Sequence, residues 1–180
     1  MAHVFEPATS GRSKCRGCGR PIAKGELRFG ESVPNLFAEG DTTLWFHPAC
    51  AAYKRPQALL EALEQTPDGI PDRESLLRAA NKSTAHERLQ RIDGAERSPT
   101  GQAKCRHCHE PVEKGTWRVR VVFYDEGRFA PGGFIHLKCH KDYFETDDVL
   151  EHLLQFSPNL SDSDRTELAR ELAAAGPTNG

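Results

Sequence analysis

The chain has 180 residues, with 24 Lys+Arg against 26 Asp+Glu for a net charge of −2; 37% of residues are hydrophobic and 28% charged. This length suits one domain or two small ones and excludes a large multidomain enzyme, and the composition is polar without the extremes that keep a whole chain disordered. No apolar run approaches the ~20 residues of a membrane span, and Met1–Pro7 lacks the basic-then-apolar order of a signal peptide, so an intracellular chain without membrane attachment is expected. Its six cysteines are then expected to bind metal rather than pair as disulfides.

In chain order, Cys15-x-x-Cys18 opens a metal knuckle, and Gly25 turns the chain into a strand over Leu27–Val33. Thr43-Leu44-Trp45-Phe46 reads as a second strand ending at His47. Pro56–Gln65 carries Leu59, Leu60 and Leu63 at helical spacing. Thr84 with Glu87 reads as a capping box opening a helix to about Ile92. A second knuckle follows at Cys105-x-x-Cys108, then Gly115, a strand over Thr116–Tyr124 rich in β-branched and aromatic residues, and Gly133-Phe134-Ile135 running into His136. Ser161 with Asp164 caps a last helix bearing Leu168 and Leu172 on one face, with a stop signal at Gly176-Pro177.

The elements occur twice. Cys15–Cys18 reappears at Cys105–Cys108 and Pro21–Arg28 at Pro111–Arg118, both offset by 90, while His47–Cys50 reappears at His136–Cys139, offset by 89. Three colinear blocks define a tandem duplication. The expected fold class is α+β: two small modules, 1–95 and 96–180, each a short antiparallel sheet with a zinc site followed by helices.

Every cysteine belongs to a repeat. Each copy offers Cys-x2-Cys, a spacer of 28 or 27 residues, and His-x2-Cys. The ligand sets are Cys15, Cys18, His47, Cys50 and Cys105, Cys108, His136, Cys139. Three thiolates and an imidazole suit tetrahedral zinc, and four protein ligands leave no position for substrate, so two structural Zn²⁺ ions are expected. Core cysteines, redox pairs and iron–sulfur ligation are the alternatives. His107, His109 and His140 lie beside ligands but have no counterparts at Gly17, Gly19 and Ala51, so solvated or supporting roles are expected. A zinc deaminase would need His-x-Glu upstream of Pro-Cys-x-x-Cys and an open metal; the order here is reversed.

The ligand spacing resembles the zinc fingers of poly(ADP-ribose) polymerases and DNA ligase III. Ser10-Gly11-Arg12 before the first cysteine, Leu27-Arg28 on the first strand and Trp45-Phe46-His47 at the third ligand are similar to the family pattern. The resemblance implies recognition of broken DNA rather than base sequence: arginines on backbone phosphates and loop hydrophobics stacked on the exposed base pair. It implies phosphate roles for Arg12, Arg28 and Arg118, and stacking roles for Phe37 and Phe129. Gln102 replaces the second finger's other arginine, and Ala38 holds the strict position of the aromatic.

Charge is unevenly spread. Residues 8–56 carry +4 and 99–144 carry +3, whereas 57–98 carry −2 and 145–180 carry −6. The finger segments are basic enough for salt-sensitive DNA binding. The expected function is therefore a zinc-dependent DNA-binding protein that senses strand breaks or ends, not itself an enzyme, recruiting a repair enzyme in trans. The alternatives are a protein-interaction zinc module that has lost DNA binding, or a binder of single-stranded nucleic acid. Twice as many arginines as lysines points to a GC-rich bacterial genome, so cytoplasm or nucleoid is favoured over the nucleus.

Overall fold

A computed structural model describes residues 2–175. The chain forms two compact units: Met1–Ala85 with Tyr124–Phe129, and His86–Phe123 with Ala130–Gly180. Each contains a three-stranded sheet whose paired neighbours run antiparallel, and helices follow it, as the sequence leads one to expect.

In the first unit β1 (Val4–Pro7), β2 (Leu27–Pro34) and β3 (Asp41–Phe46) pair in that order. Three helices follow: α1 (Pro48–Lys54), α2 (Pro56–Gln65) and α3 (Arg73–Ala85). Pro48 and Pro56 each occupy the first turn, where a missing N–H costs nothing. Pro56 also forbids helical geometry at Arg55, which sits at φ −134° and separates α1 from α2. Phe29, Phe46, Ile22, Leu59 and Leu63 are fully buried, each contributing about 1.5–3 kcal/mol by its transfer from water. The first strand, second strand and Pro56–Gln65 helix fall where the sequence places them; β1 and α3 are additional. The buried positions of α3 are Leu76, Ala79, Ala80 and Ser83, a helical stripe made mostly of small residues that hydropathy alone underweights.

In the second unit a 3₁₀ turn (Glu87–Arg91) leads into β4 (Ile92–Arg97), which pairs with β5 (Trp117–Asp125), and β5 neighbours β6 (Arg128–His136); the hairpin tip of these two strands, Tyr124–Phe129, is counted with the first unit. Short helices α4 (His140–Phe144) and α5 (Leu150–Gln155) and the longer α6 (Asp162–Ala174) complete it. Leu89, Ile92, Val119, Ile135, Leu153 and Leu168 form its core. The Ser161 side chain accepts the Asp164 N–H, capping α6 as expected. The Gly176-Pro177 stop lies outside the described residues.

One expectation changes. Thr84 does not open a helix: it lies inside α3 and its hydroxyl donates to the Ala80 carbonyl at 2.9 Å. Glu87 begins the 3₁₀ turn instead, and Ile92 starts a strand. The first unit runs to Ala85, and β4 at Ile92–Arg97, ahead of the second knuckle, lies in the second. The reason is the cross-strand register: Glu96 faces Arg118 on β5 just as Glu6 faces Arg28 on β2. The repeat therefore includes the strand ahead of the knuckle, and that strand begins at Ile92.

Candidate metal centres and nucleic-acid interface

The knuckles have one geometry. The Cys15 N–H donates to the Arg20 carbonyl at 2.9 Å and the Gly19 N–H to the Cys15 carbonyl at 2.8 Å; Cys105, Glu110 and His109 repeat this at 2.9 and 2.8 Å. The residue after the second cysteine is left-handed, with φ 75° at Gly19 and 65° at His109. Glycine adopts this freely, whereas a histidine there carries backbone strain. His109 is thus a turn residue.

Each knuckle meets the strand–helix corner that supplies the other two ligands. The ligand atoms of Cys15, Cys18, His47 and Cys50 all lie within 4.8 Å of one another, as do those of Cys105, Cys108, His136 and Cys139. Tetrahedral Zn–S bonds of about 2.3 Å require sulfurs about 3.8 Å apart, so both sets fit a zinc ion. His47 Nδ1 lies 3.4 Å from Cys18 Sγ, and His136 Nδ1 lies 3.2 Å from Cys108 Sγ, so Nδ1 is the inward nitrogen in each ring. The backbone N–H of each histidine donates 3.3 Å to the sulfur of the first cysteine of its set.

The outer nitrogens differ. His136 Nε2 donates to the Pro111 carbonyl at 3.0 Å, which fixes the tautomer that leaves Nδ1 for metal. His47 Nε2 instead faces the Glu26 carboxylate at 3.7 Å. The position equivalent to Glu26 in the second module is Thr116.

The thiols titrate unequally. Cys15 and Cys50 hydrogen-bond to Cys18 and hold its thiol well below its usual range, while Cys50 is pushed far up as the proton-bearing partner of Cys15 and Cys18. Contact with the Cys15 and Cys18 sulfurs raises His47 to about 10. In the second set burial works against the Cys105 thiolate, yet backbone N–H groups of Cys108, His136 and His107 lower its pKa; burial and the Cys105 charge push Cys139 up to about 12. A divalent cation supplies the charge these sulfurs need to be thiolates together.

The other histidines fall outside the ligand sets. His107 packs edge-on to Tyr143 at 6.3 Å, and buried His140 donates from Nδ1 to the Leu137 carbonyl at 2.7 Å.

The residues expected to meet DNA divide into two kinds. Arg12 is exposed and lines a hollow with Lys14, Arg16, Thr43 and Trp45. Phe37 is 86% exposed and Leu36 55%, on the β2–β3 loop; the Phe37 N–H donates to the Asn35 side chain at 2.9 Å. Arg28 and Arg118, by contrast, are 6% and 5% exposed. Arg28 donates to Glu6 at 2.6 Å and Ser13 at 2.8 Å; Arg118 donates to Glu96 at 3.2 Å and Ser98 at 3.4 Å. Each guanidinium also stacks 3.5 Å over an aromatic ring, Trp45 or Phe134.

Phe129 is half-buried, 5.2 Å from the Tyr124 ring and 6.4 Å from Phe46. The turn before it has two central residues, Glu126 at φ 46° and Gly127 at φ 82°, the doubly left-handed geometry of a tight hairpin. Gln102 is exposed. The sequence reading omitted Lys14 and Arg16, although their position on either side of Cys15 marks them as neighbours of Arg12.

Residues 6–89 match the family described as the poly(ADP-ribose) polymerase and DNA-ligase Zn-finger region. The chain is similar to poly [ADP-ribose] polymerase 1 of Oryza sativa, 28% identical over 158 residues covering 82% of the chain and 16% of that protein. It is also similar to poly [ADP-ribose] polymerase of Drosophila melanogaster, 26% identical over 157 residues covering 77% and 16%, and to poly [ADP-ribose] polymerase 1 of Xenopus laevis, 26% identical over 189 residues covering 93% and 19%. The chain thus spans under a fifth of the length of these relatives, and the family match falls on a zinc-finger region rather than a catalytic domain. All three are eukaryotic proteins, so the expectation of a bacterial cytoplasm or nucleoid finds no support in them. No helix among the described residues is long and apolar enough to cross a membrane. Residues 6–89 are thus a zinc-finger region of the poly(ADP-ribose) polymerase and DNA-ligase type, and the ligand set of that region recurs at Cys105, Cys108, His136 and Cys139.

Proposed function

We propose that the chain binds DNA at strand breaks or ends, and acts as a sensor or adaptor for repair enzymes recruited in trans. The observation that carries this reading is Phe37: a large aromatic held almost wholly in solvent, with Leu36 beside it. Exposed apolar side chains at a loop tip cost solvation unless a partner covers them. A broken duplex presents an unstacked base pair of matching character, which intact DNA lacks, and stacking an aromatic on a base is worth ~1–3 kcal/mol.

Arg12, with Lys14 and Arg16, supplies cations for backbone phosphates, a sequence-independent contact. Arg28 and Arg118 have a phosphate role in this reading only at the edge of their existing pairs with Glu6 and Glu96. Two Zn²⁺ ions held by the two ligand sets order each finger, and in each case the ion's charge allows the thiolates to share one site. The compartment is one that holds DNA, with the nucleus favoured by the eukaryotic relatives.

A second reading, a finger pair that binds protein instead, draws support from the commitment of Arg28 and Arg118 to internal carboxylates and from Gln102. The test is binding of the zinc-loaded chain to nicked, blunt-ended and closed circular DNA of one sequence at two salt concentrations. Tighter binding to nicked and blunt DNA, weakened by salt, is expected. Equal affinity for nicked and closed DNA removes the break-sensor reading, and no binding to any favours the protein module.

A further inference from the structure

The first unit holds an open cavity of about 670 Å³ between the β2–β3 loop and the hairpin tip Tyr124–Phe129, which belongs to this unit. Neither the zinc ligands nor the exposed face of Phe37 accounts for it. Val33, Leu36 and Leu44 give it apolar walls, and Phe37 stands at its rim. Three arginines line it, Arg16, Arg55 and Arg128, against one carboxylate, Glu126.

The arginines are not equivalent. Arg55 is tied to the buried Glu31 carboxylate, with Nε donating to Oε2 at 2.8 Å, and lies 3.7 Å over the Tyr124 ring. It is a fixed part of the floor. Arg16 and Arg128 are exposed, and neither forms an ion pair among the described residues. Two uncommitted guanidinium groups beside an apolar wall suit a ligand that carries a flat apolar surface and a phosphate on the same short unit.

We propose that this cavity receives an unpaired nucleotide running off a DNA end, its base against the apolar wall and its phosphate toward Arg16 and Arg128. The inference rests on the DNA-end reading above and deepens it: a duplex end capped by Phe37 places the single strand leaving that end next to the cavity. Charge favours this occupant over an acidic peptide, because a nucleotide brings one base for the wall with every phosphate. The preferred substrate is then a break with a short overhang rather than a blunt end.

The experiment measures binding of the full zinc-loaded chain to duplexes of one sequence that are blunt, carry a short overhang, or carry the same overhang without its bases. The overhang is expected to bind about five- to a hundredfold tighter than the blunt end, and the abasic overhang to lose most of that gain. Arg128→Ala is expected to remove much of the overhang preference while leaving blunt-end affinity unchanged; being exposed, Arg128 can be replaced without threatening the fold. Equal binding of blunt and overhanging ends, or equal weakening of both by Arg128→Ala, overturns the cavity assignment while leaving end recognition intact. Displacement of the overhang by a free mononucleotide would assign the cavity to small nucleotides instead. Failure to bind any end overturns the DNA reading and this inference with it.

Discussion

The guanidinium carbon of Arg28 sits 3.5 Å from the centre of the Trp45 ring. Behind it, Glu6 and Ser13 accept its N–H groups. Arg118 stands in the same relation to Phe134, Glu96 and Ser98. These arginines clamp the first strand, the second strand and the third strand of each sheet together, so their structural contribution precedes any contact with DNA.

Arg28→Ala is accordingly expected to destabilise the first unit by about 1–3 kcal/mol, through loss of the stacked cation and its charge-assisted hydrogen bonds. Denaturant unfolding of the zinc-loaded protein measures this. Arg12→Ala, at an exposed position, is expected to leave stability unchanged and to weaken DNA binding alone. A loss of DNA affinity in Arg28→Ala is therefore interpretable only beside its unfolding curve.

Phe37→Ala separates recognition from folding most cleanly. The side chain is almost entirely in solvent, so its removal should leave unfolding unaltered. Affinity for nicked or blunt DNA should fall by ~1–3 kcal/mol, with little change for closed circular DNA. An equal loss on all three DNAs would place Phe37 outside end recognition.

Cys50→Ala and Cys139→Ala are each expected to lower zinc stoichiometry from two ions to one and to unfold the affected module, read by metal analysis and circular dichroism. The pH dependence follows from the sulfurs. In the metal-free second site Cys139 holds its proton up to about pH 12, and in the first the Cys50 thiol is also pushed far up. Zinc must displace these protons, so the bound form carries fewer of them than the free form. Affinity therefore rises with pH and falls as pH drops, with protons released on binding. Titration in buffers of different ionisation enthalpy detects this release.

Glu26→Ala tests the outer contact of His47. The carboxylate lies 3.7 Å from Nε2, beyond hydrogen-bond distance but close enough to draw the Nε2–H toward it when metal holds Nδ1, and loss of such outer partners typically lowers metal affinity about 10–100-fold. Chelator competition should show the first site weakened and the second unaffected. Glu26→Gln, which can still accept the Ala23 N–H that Glu26 receives at 2.8 Å, distinguishes loss of the turn from loss of charge.

A fragment starting at residue 86 is expected to fold with zinc, whereas one starting at residue 96 is not. The shorter piece lacks Ile92 and Ala95, both buried on β4, and only Glu96 and Arg97 remain to pair with β5. Amide dispersion in proton–nitrogen spectra distinguishes the two.

Much of this was legible because metal chemistry constrains sequence tightly. The ligand sets need fixed residue types at fixed spacing, and the strands that deliver His47 and His136 end on those residues. Proline at position 56 and serine at 161 marked helix starts for local reasons that tertiary packing did not override. What escaped notice depends on partners far along the chain. β1 and β4 are too short to show a period; they are defined by Glu6 meeting Arg28 and Glu96 meeting Arg118. The stripe of α3 is mostly alanine and serine, buried because its neighbours approach closely. Thr84 and Glu87 satisfied a capping pattern, but the helix before them had not yet ended. The burial of Arg28 and Arg118 was also invisible, since an arginine in a motif looks the same whether it faces phosphate or a glutamate.

The two turns joining the paired strands differ in a way that bears on how the duplicated fingers diverged. The first copy spends the residues from Asn35 to Gly40 on its connection, enough chain to lift Leu36 and Phe37 into solvent. The second closes through Glu126 and Gly127 alone, too short to display an apolar side chain at its tip. The two copies differ by one residue between the second cysteine and the histidine, and the ligand set is complete in both. Loop length there is a genetic dial: it sets whether a finger lifts an apolar side chain into solvent at its tip, without any change at the metal.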